Sequence, residues 1–183
     1  MPSRYDDELW ELVPDEPRVP ADHLREFAER LGRAEHALDL GCGDGSLTVA
    51  LDALKLTAAD VSAVALDRAR TRLAAEDRLV ELEPDAPLPF GDGEFDLVFS
   101  AETIEHVRDV QLLLSEARRV LAPGGTLALT TPASRVLMPP PDPLSPHLRF
   151  FTRRSLARLL DELGFDVRSL ERRAGTLLAR ATR

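Results

Sequence analysis

Ala37-Leu38-Asp39-Leu40-Gly41-Cys42-Gly43-Asp44-Gly45 is a short apolar run that ends in three alternate glycines. It reads as a strand entering a tight turn whose backbone, bare of Cβ atoms, a bound molecule can approach closely. The spacing G-x-G-x-G is shorter than the dinucleotide fingerprint G-x-G-x-x-G. Alone the loop is a weak signal, because a plain strand-to-helix turn also uses glycines. The next strand adds context. Residues 56–59 read as strand and Asp60 stands at its carboxyl end, where a carboxylate can accept hydrogen bonds from ribose hydroxyls. Taken alone, Asp60 could equally cap the following helix. Together, loop and acid mark a nucleoside site at the switch point of a parallel sheet.

Working outward, short apolar runs alternate with helical periodicity, the pattern of an α/β fold. Before the loop, Leu24, Phe27, Ala28 and Leu31 recur at helical spacing, with Asp22 as the expected cap. After it, residues 46–54 read as helix, and Ser62 can cap a helix carrying Ala65, Leu66, Ala69 and Leu73. Residues 79–82 form a weaker third strand and residues 95–99 a clear fourth. Asp109 caps a helix that Pro123-Gly124-Gly125 stops, and residues 126–130 form a fifth strand. Proline crowds residues 132–151, which excludes helix and central strand and predicts an ordered loop beside the active site. Thr152 caps a last helix closed by Gly164. Residues 165–170 and 176–181 read as an antiparallel hairpin turning near Gly175. The expectation is a single domain over residues 1–183: a doubly wound, mostly parallel seven-stranded sheet with helices on both faces and a C-terminal antiparallel hairpin. Residues 1–35 supply an N-terminal lid and helix.

Bulk properties exclude several classes. The apolar fraction is 44% and no run approaches the roughly 20 residues of a membrane helix. The acidic N-terminus lacks the apolar core of a signal peptide, so a cytoplasmic protein is expected, with no membrane partner. A net charge of −9 argues against nucleic acid as a partner. Cys42 is the sole cysteine, so no internal disulfide is possible. The four histidines show no ligand spacing, and no metal is expected.

The ordered motifs resemble the class I S-adenosylmethionine-dependent methyltransferases, over nearly all of the chain from His36 to Arg183. Residues 37–45 are similar to the motif that wraps the methionine part of the cofactor, and Asp60 to the acid that binds the ribose. Residues 84–98, 100–107 and 113–132 are similar to the third-, fourth- and fifth-strand segments, and residues 147–165 resemble the late helix of the small-molecule branch related to ubiquinone-biosynthesis methyltransferases. The resemblance implies S-adenosyl-L-methionine as cofactor, with S-adenosyl-L-homocysteine as product. It implies cofactor contacts from Asp39, Gly41, Cys42, Gly43, Gly45, Asp60, Val61, Asp85, Ala86 and Ser100. Asp39 either bonds near the methionine amino end or organises the turn, and both roles can hold. Asp85 stands five residues before Phe90 where the family often has six, so Glu83 could take its adenine contact.

Methyl transfer needs a base only when the acceptor keeps its proton. His106, after Glu105, is the catalytic candidate, with packing or cofactor caging as the bland reading. His147 is a second candidate, or a surface loop residue. Trp10 is either an aromatic lid or a ring packed on the sheet edge, and Phe151 belongs with the substrate-side residues. His23 and His36 read as helix-surface and linker residues. Cys42 reads as packed in the loop, because no neighbouring base lowers its pKa. The implied function is methyl transfer to a small-molecule acceptor, by a monomer or homodimer. The alternative is a catalytically silent cofactor-binding domain serving as a regulatory or partner subunit. A short-chain dehydrogenase fails, since the single Tyr5 and single Lys55 are not together on a helix.

Overall fold

A computed structural model describes residues 4–14, 19–134 and 147–183. Most of the proline-dense stretch lies outside the described residues. The elements are α1 (Arg4–Leu12), α2 (Asp22–Glu29), β1 (Ala34–Leu40), β2 (Ala53–Asp60), α3 (Ala63–Arg70), β3 (Arg78–Glu81), β4 (Phe95–Ala101), α4 (Val110–Val120), β5 (Leu121–Pro132), α5 (Arg153–Glu162), β6 (Asp166–Arg173) and β7 (Thr176–Thr182). One seven-stranded sheet has the order β3-β2-β1-β4-β5-β7-β6. The first five strands run parallel and β7 is antiparallel to both β5 and β6, as expected.

Side chains along a strand alternate between faces, and the core follows that alternation. Leu38, Leu40, Val98, Leu127 and Leu129 pack with Leu114, Ala117 and Val120 of α4 and with Leu156 and Leu160 of α5. Ala37, Leu97, Phe99 and Ala128 point the other way, toward Phe27 and Ala28 of α2. Further along that face Ala58 packs with Leu66 of α3. Three expected caps form. Ser62 Oγ accepts the Ala65 N–H at 3.2 Å, Asp109 Oδ1 accepts that of Leu112 at 2.9 Å, and Thr152 and Ser155 form a reciprocal capping box.

Three local expectations fail. No α-helix follows the glycine loop: residues 46–54 hold a single 3-10 turn, Thr48–Ala50, and β2 begins at Ala53, three residues earlier than its apolar run suggests. Residues 41–52 must make both the loop and the return to the sheet, which leaves too little chain for a helix. Leu47, Ala50 and Leu51 instead pack beside α2. Asp22 is the first helical residue, not the cap; Ala21 holds that position without a side-chain bond. His36 is not in a linker but in β1, its Nε2 3.1 Å from Thr57 Oγ1 on β2.

Candidate active site

Order reverses between β1 and β4, and in open α/β sheets ligands bind outside the strand carboxyl ends at that point. Gly41 follows β1 there, and the turn at Glu102–His106 follows β4. The two ends touch. A Cβ on Gly41 would lie 2.4 Å from Thr103 Cγ2, and Gly41 itself has φ +79°. At Gly43, φ is +54° and a Cβ would lie 2.8 Å from Trp10 Cζ2. Trp10 therefore packs against the glycine loop at Gly43. The Arg68 guanidinium stands 5.7 Å from the Trp10 ring centroid, and Arg68 Nη2 donates to the Val13 carbonyl at 3.0 Å. Asp7 anchors the same helix from below: its Oδ1 accepts Ser62 Oγ–H at 2.6 Å and the Val64 N–H at 3.3 Å.

Four of the loop's backbone donors are engaged within the protein. Gly41 and Cys42 N–H both donate to the Ala59 carbonyl, at 2.8 and 3.1 Å, and Gly45 N–H to that of Cys42 at 3.0 Å. Gly43 N–H donates to Asp60 Oδ2 at 2.8 Å, and Ser62 N–H to Asp60 Oδ1 at 3.0 Å. Three buried carboxylates lie around it. Asp39 is 2% exposed and accepts Thr48 Oγ–H at 2.6 Å; burial, reinforced by the nearby Asp60, pushes its pKa up to about 7. Burial also raises the pKa of Asp60. Asp44 pairs with Arg72 at 3.0 Å. Asp44 and Arg72 carried no signal in the sequence, because their pairing joins the loop to the end of α3. Burial, with Asp39, Asp60 and Asp44, holds the Cys42 thiol up, which agrees with a packed residue.

This arrangement discriminates between ligands. A pyrophosphate needs free N–H donors and the positive end of a helix. Here those four loop N–H groups bind the protein itself, the following segment is a 3-10 turn, and the side chains buried around the loop are acids, Asp39, Asp44 and Asp60, with one cation, Arg72, paired to Asp44. A sulfonium with an ammonium group is a cation and brings N–H donors, which suit carboxyl oxygens better than a pyrophosphate does. Each Asp60 oxygen keeps a lone pair beyond the N–H it accepts, so ribose hydroxyls can still donate there. The residues fit S-adenosylmethionine.

Val61 follows Asp60 and packs on the main core. Asp85 and Ala86 lie in the loop after β3, beside the end of β2; Asp85 is exposed with φ 55°, and Glu83 is exposed as well. Ser100 Oγ donates to the Leu40 carbonyl at 2.8 Å, tying β4 to β1 directly beneath the loop. Gly45 packs against Ala69 of α3, a structural use. Phe151 belongs to the core, and its carbonyl accepts the Ser134 N–H at 2.8 Å, joining the two ends of the proline-dense stretch.

Across the crevice, the turn after β4 carries a second polar group. Glu105 is 1% exposed; its Oε2 accepts Thr131 Oγ–H at 2.9 Å, and its Oε1 has no hydrogen-bond partner among the described residues. Glu102, at φ 52°, accepts Thr130 Oγ–H at 2.9 Å. Burial pushes the pKa of each glutamate up to about 7, Glu102 further aided by the Glu105 charge. His106 Nε2 lies 3.9 Å from Glu105 Oε1, and the His106 and His147 ring centroids are 4.9 Å apart. Burial, and then His106, lowers the pKa of His147. The Leu148 N–H donates to the Glu105 carbonyl at 2.8 Å, which holds His147 against this turn. Two of the histidines, His106 and His147, distant in sequence, converge in space. A groove between α5 and β6 at the sheet edge, lined by Arg153, Arg154, Ala157, Val167, Arg168 and Ser169, lies apart from these residues.

The switch-point crevice thus joins a glycine loop to the buried carboxyl groups of Asp39, Asp44 and Asp60. Residues 38–129 match a family model described as a methyltransferase domain. An uncharacterized methyltransferase of Synechocystis sp. is 34% identical over 148 residues, covering 73% of this chain and 68% of that protein. A demethylmenaquinone methyltransferase of Clavibacter sepedonicus is 33% identical over 126 residues, 67% of this chain but 47% of that protein. The fold matches the crystal structure of an S-adenosylmethionine dependent methyltransferase from Mesorhizobium loti at a TM-score of 0.68 and 20% identity, over 88% of this chain and 96% of that one. The chain belongs to the class I S-adenosylmethionine-dependent methyltransferases, and S-adenosylmethionine is its cofactor.

Proposed function

We propose that this chain transfers a methyl group from S-adenosylmethionine to a small-molecule acceptor by in-line displacement. The bound cofactor supplies an electrophilic methyl carbon; the chain's own residues do the rest. In this reading Asp60 holds the ribose, Val61, Asp85 and Ala86 flank the adenine, and Asp39 with the Gly41–Gly45 backbone receives the cationic amino-acid end. Trp10 covers the loop and excludes water. Acceptor and methyl carbon must be held collinear and close, which is positioning rather than chemistry. An acceptor that keeps its proton in the ground state would meet, on this side, the cluster of Glu105, His106 and His147.

The observation that carries a small acceptor is the double cover of the strand ends. Helix α1 lies over the glycine loop through Trp10, and residues 147–151 are tied to the turn after β4 through Leu148 and Glu105. A small acceptor held between these two segments is the reading this cover supports. Among the described residues no helix is long and apolar enough to cross a membrane.

The test is a panel of small phenols, enols, carboxylic acids and amines incubated with the protein and S-adenosylmethionine, with S-adenosylhomocysteine quantified by mass spectrometry. Acceptor-dependent product from at least one class is expected. Tight donor binding with no product above the acceptor-free blank would favour the silent cofactor-binding domain.

A further inference from the structure

We propose that Glu105, His106 and His147 form a binding site for a divalent first-row transition-metal ion on the acceptor side of the crevice. The inference rests on the reading above that the turn after β4 faces the acceptor. It replaces a free base there with a metal ion that takes the acceptor oxygen.

One donor atom from each of the three residues lies within 4.8 Å of the others. Bonds of about 2.1 Å to a shared tetrahedral ion need donor spacings of about 3.4 Å, so a modest rotation of two imidazoles closes the set. His106 is exposed and His147 half-buried. The independent observation is Glu105 Oε1. It is buried, it faces His106 Nε2 at 3.9 Å, and no described N–H or O–H group satisfies it. A buried carboxylate oxygen without a partner is costly, and most such atoms in folded proteins are paired. A cation at the focus of the three side chains satisfies it.

The donor set selects the ion. Two imidazoles and one carboxylate suit Zn²⁺, Co²⁺, Mn²⁺ or Fe²⁺, whereas Mg²⁺ and Ca²⁺ take shells of oxygen. Glu102 adds a second carboxylate on the same turn, held by Thr130. The shell beneath the ligands is already built: Thr131 Oγ–H orients Glu105 through Oε2 and leaves Oε1 directed at the histidines. Three protein ligands leave coordination positions open for an acceptor oxygen. A hydroxyl or enol bound there loses its proton to solvent more readily, because the cation stabilises the oxyanion. The acceptor class implied is therefore an oxygen compound, one that binds metal through the oxygen to be methylated.

The experiment uses the full chain, stripped with a chelator and then dialysed. It is titrated with ZnCl₂ by calorimetry and with CoCl₂ by visible absorption, each without acceptor. One ion per chain is expected, with Co²⁺ ligand-field bands of a low-coordinate nitrogen and oxygen site. His106→Ala and His147→Ala should each weaken binding by about tenfold or more. These positions are not fully buried, so the variants keep the fold, and thermal unfolding checks this. S-adenosylhomocysteine is titrated into each protein in parallel. No stoichiometric ion in the wild type, or equal binding by a His106→Ala/His147→Ala double variant, overturns the proposal while normal S-adenosylhomocysteine binding leaves the methyltransferase reading standing. Failure of the wild type to bind S-adenosylhomocysteine would strike that reading instead.

Discussion

Asp60→Ala removes a carboxylate that holds the glycine loop and, in the proposed complex, the sugar. In the protein alone this side chain accepts Gly43 N–H at 2.8 Å and Ser62 N–H at 3.0 Å. Orphaning two buried donors costs about 2–4 kcal/mol of folding stability. Relief of a buried charge offsets part of that, since burial raises the Asp60 pKa. Ribose hydroxyls donating to the same oxygens would contribute about 2–4 kcal/mol more to donor binding. In Kd this is about 30- to 900-fold. Calorimetric titration of wild type and variant with S-adenosylhomocysteine reads the change, well below the unfolding temperature of either. A second titration with methylthioadenosine, which keeps the ribose and lacks the amino-acid arm, separates two causes. If Asp60 grips the sugar, both ligands weaken by the same factor. An S-adenosylhomocysteine Kd within about twofold of wild type refutes the reasoning. A loss confined to S-adenosylhomocysteine shows that the carboxylate acts through the loop and not on the ribose.

Asp39, raised to about 7 by burial, is proton-bound in the folded state at a pH where the unfolded chain has already lost that proton. Stability is then full below the unfolded value near 3.8 and falls as pH rises toward 7, at up to about 1.4 kcal/mol per pH unit. Urea unfolding near pH 5 and near pH 7 should show Asp39→Asn losing about 2 kcal/mol less than wild type over that span; coincident slopes would mean Asp39 stays ionised. Gly43→Ala places a Cβ 2.8 Å from Trp10 in a backbone at φ +54°. It should cost about 1–2 kcal/mol for the left-handed backbone alone, and more for the displaced ring. Since Trp10 is the single tryptophan, its emission should shift to the red. In a double-mutant cycle Trp10→Ala should recover the excess cost, and strictly additive costs would remove Trp10 from the loop.

Much of the fold was legible because its signals are local. Strand periodicity, the caps at Ser62, Asp109 and Thr152, and the hairpin turn at Gly175 each depend on residues a few positions apart, and each formed. The helix expected at residues 46–54 failed for a reason outside that window. Whether the return from β1 becomes a helix depends on where β2 must start to pair with it, and the register Ala34 with Ala53 leaves no chain to spare. The N-cap at Asp22 failed more modestly, by a single residue.

The glycine loop and Asp60 could be read from the sequence because one strand and one crossover place them together in any sheet of this kind. The sequence could not say that Trp10 lies on Gly43, that Thr103 closes on Gly41, or that His147 meets His106. Those contacts join segments separated by tens of residues, and strand order with lid docking brings them within reach. Local chemistry therefore determined the elements and the cofactor loop. Tertiary packing decided what covers that loop, and which acids and imidazoles face each other across the crevice, since burial and proximity exist only once the sheet has formed.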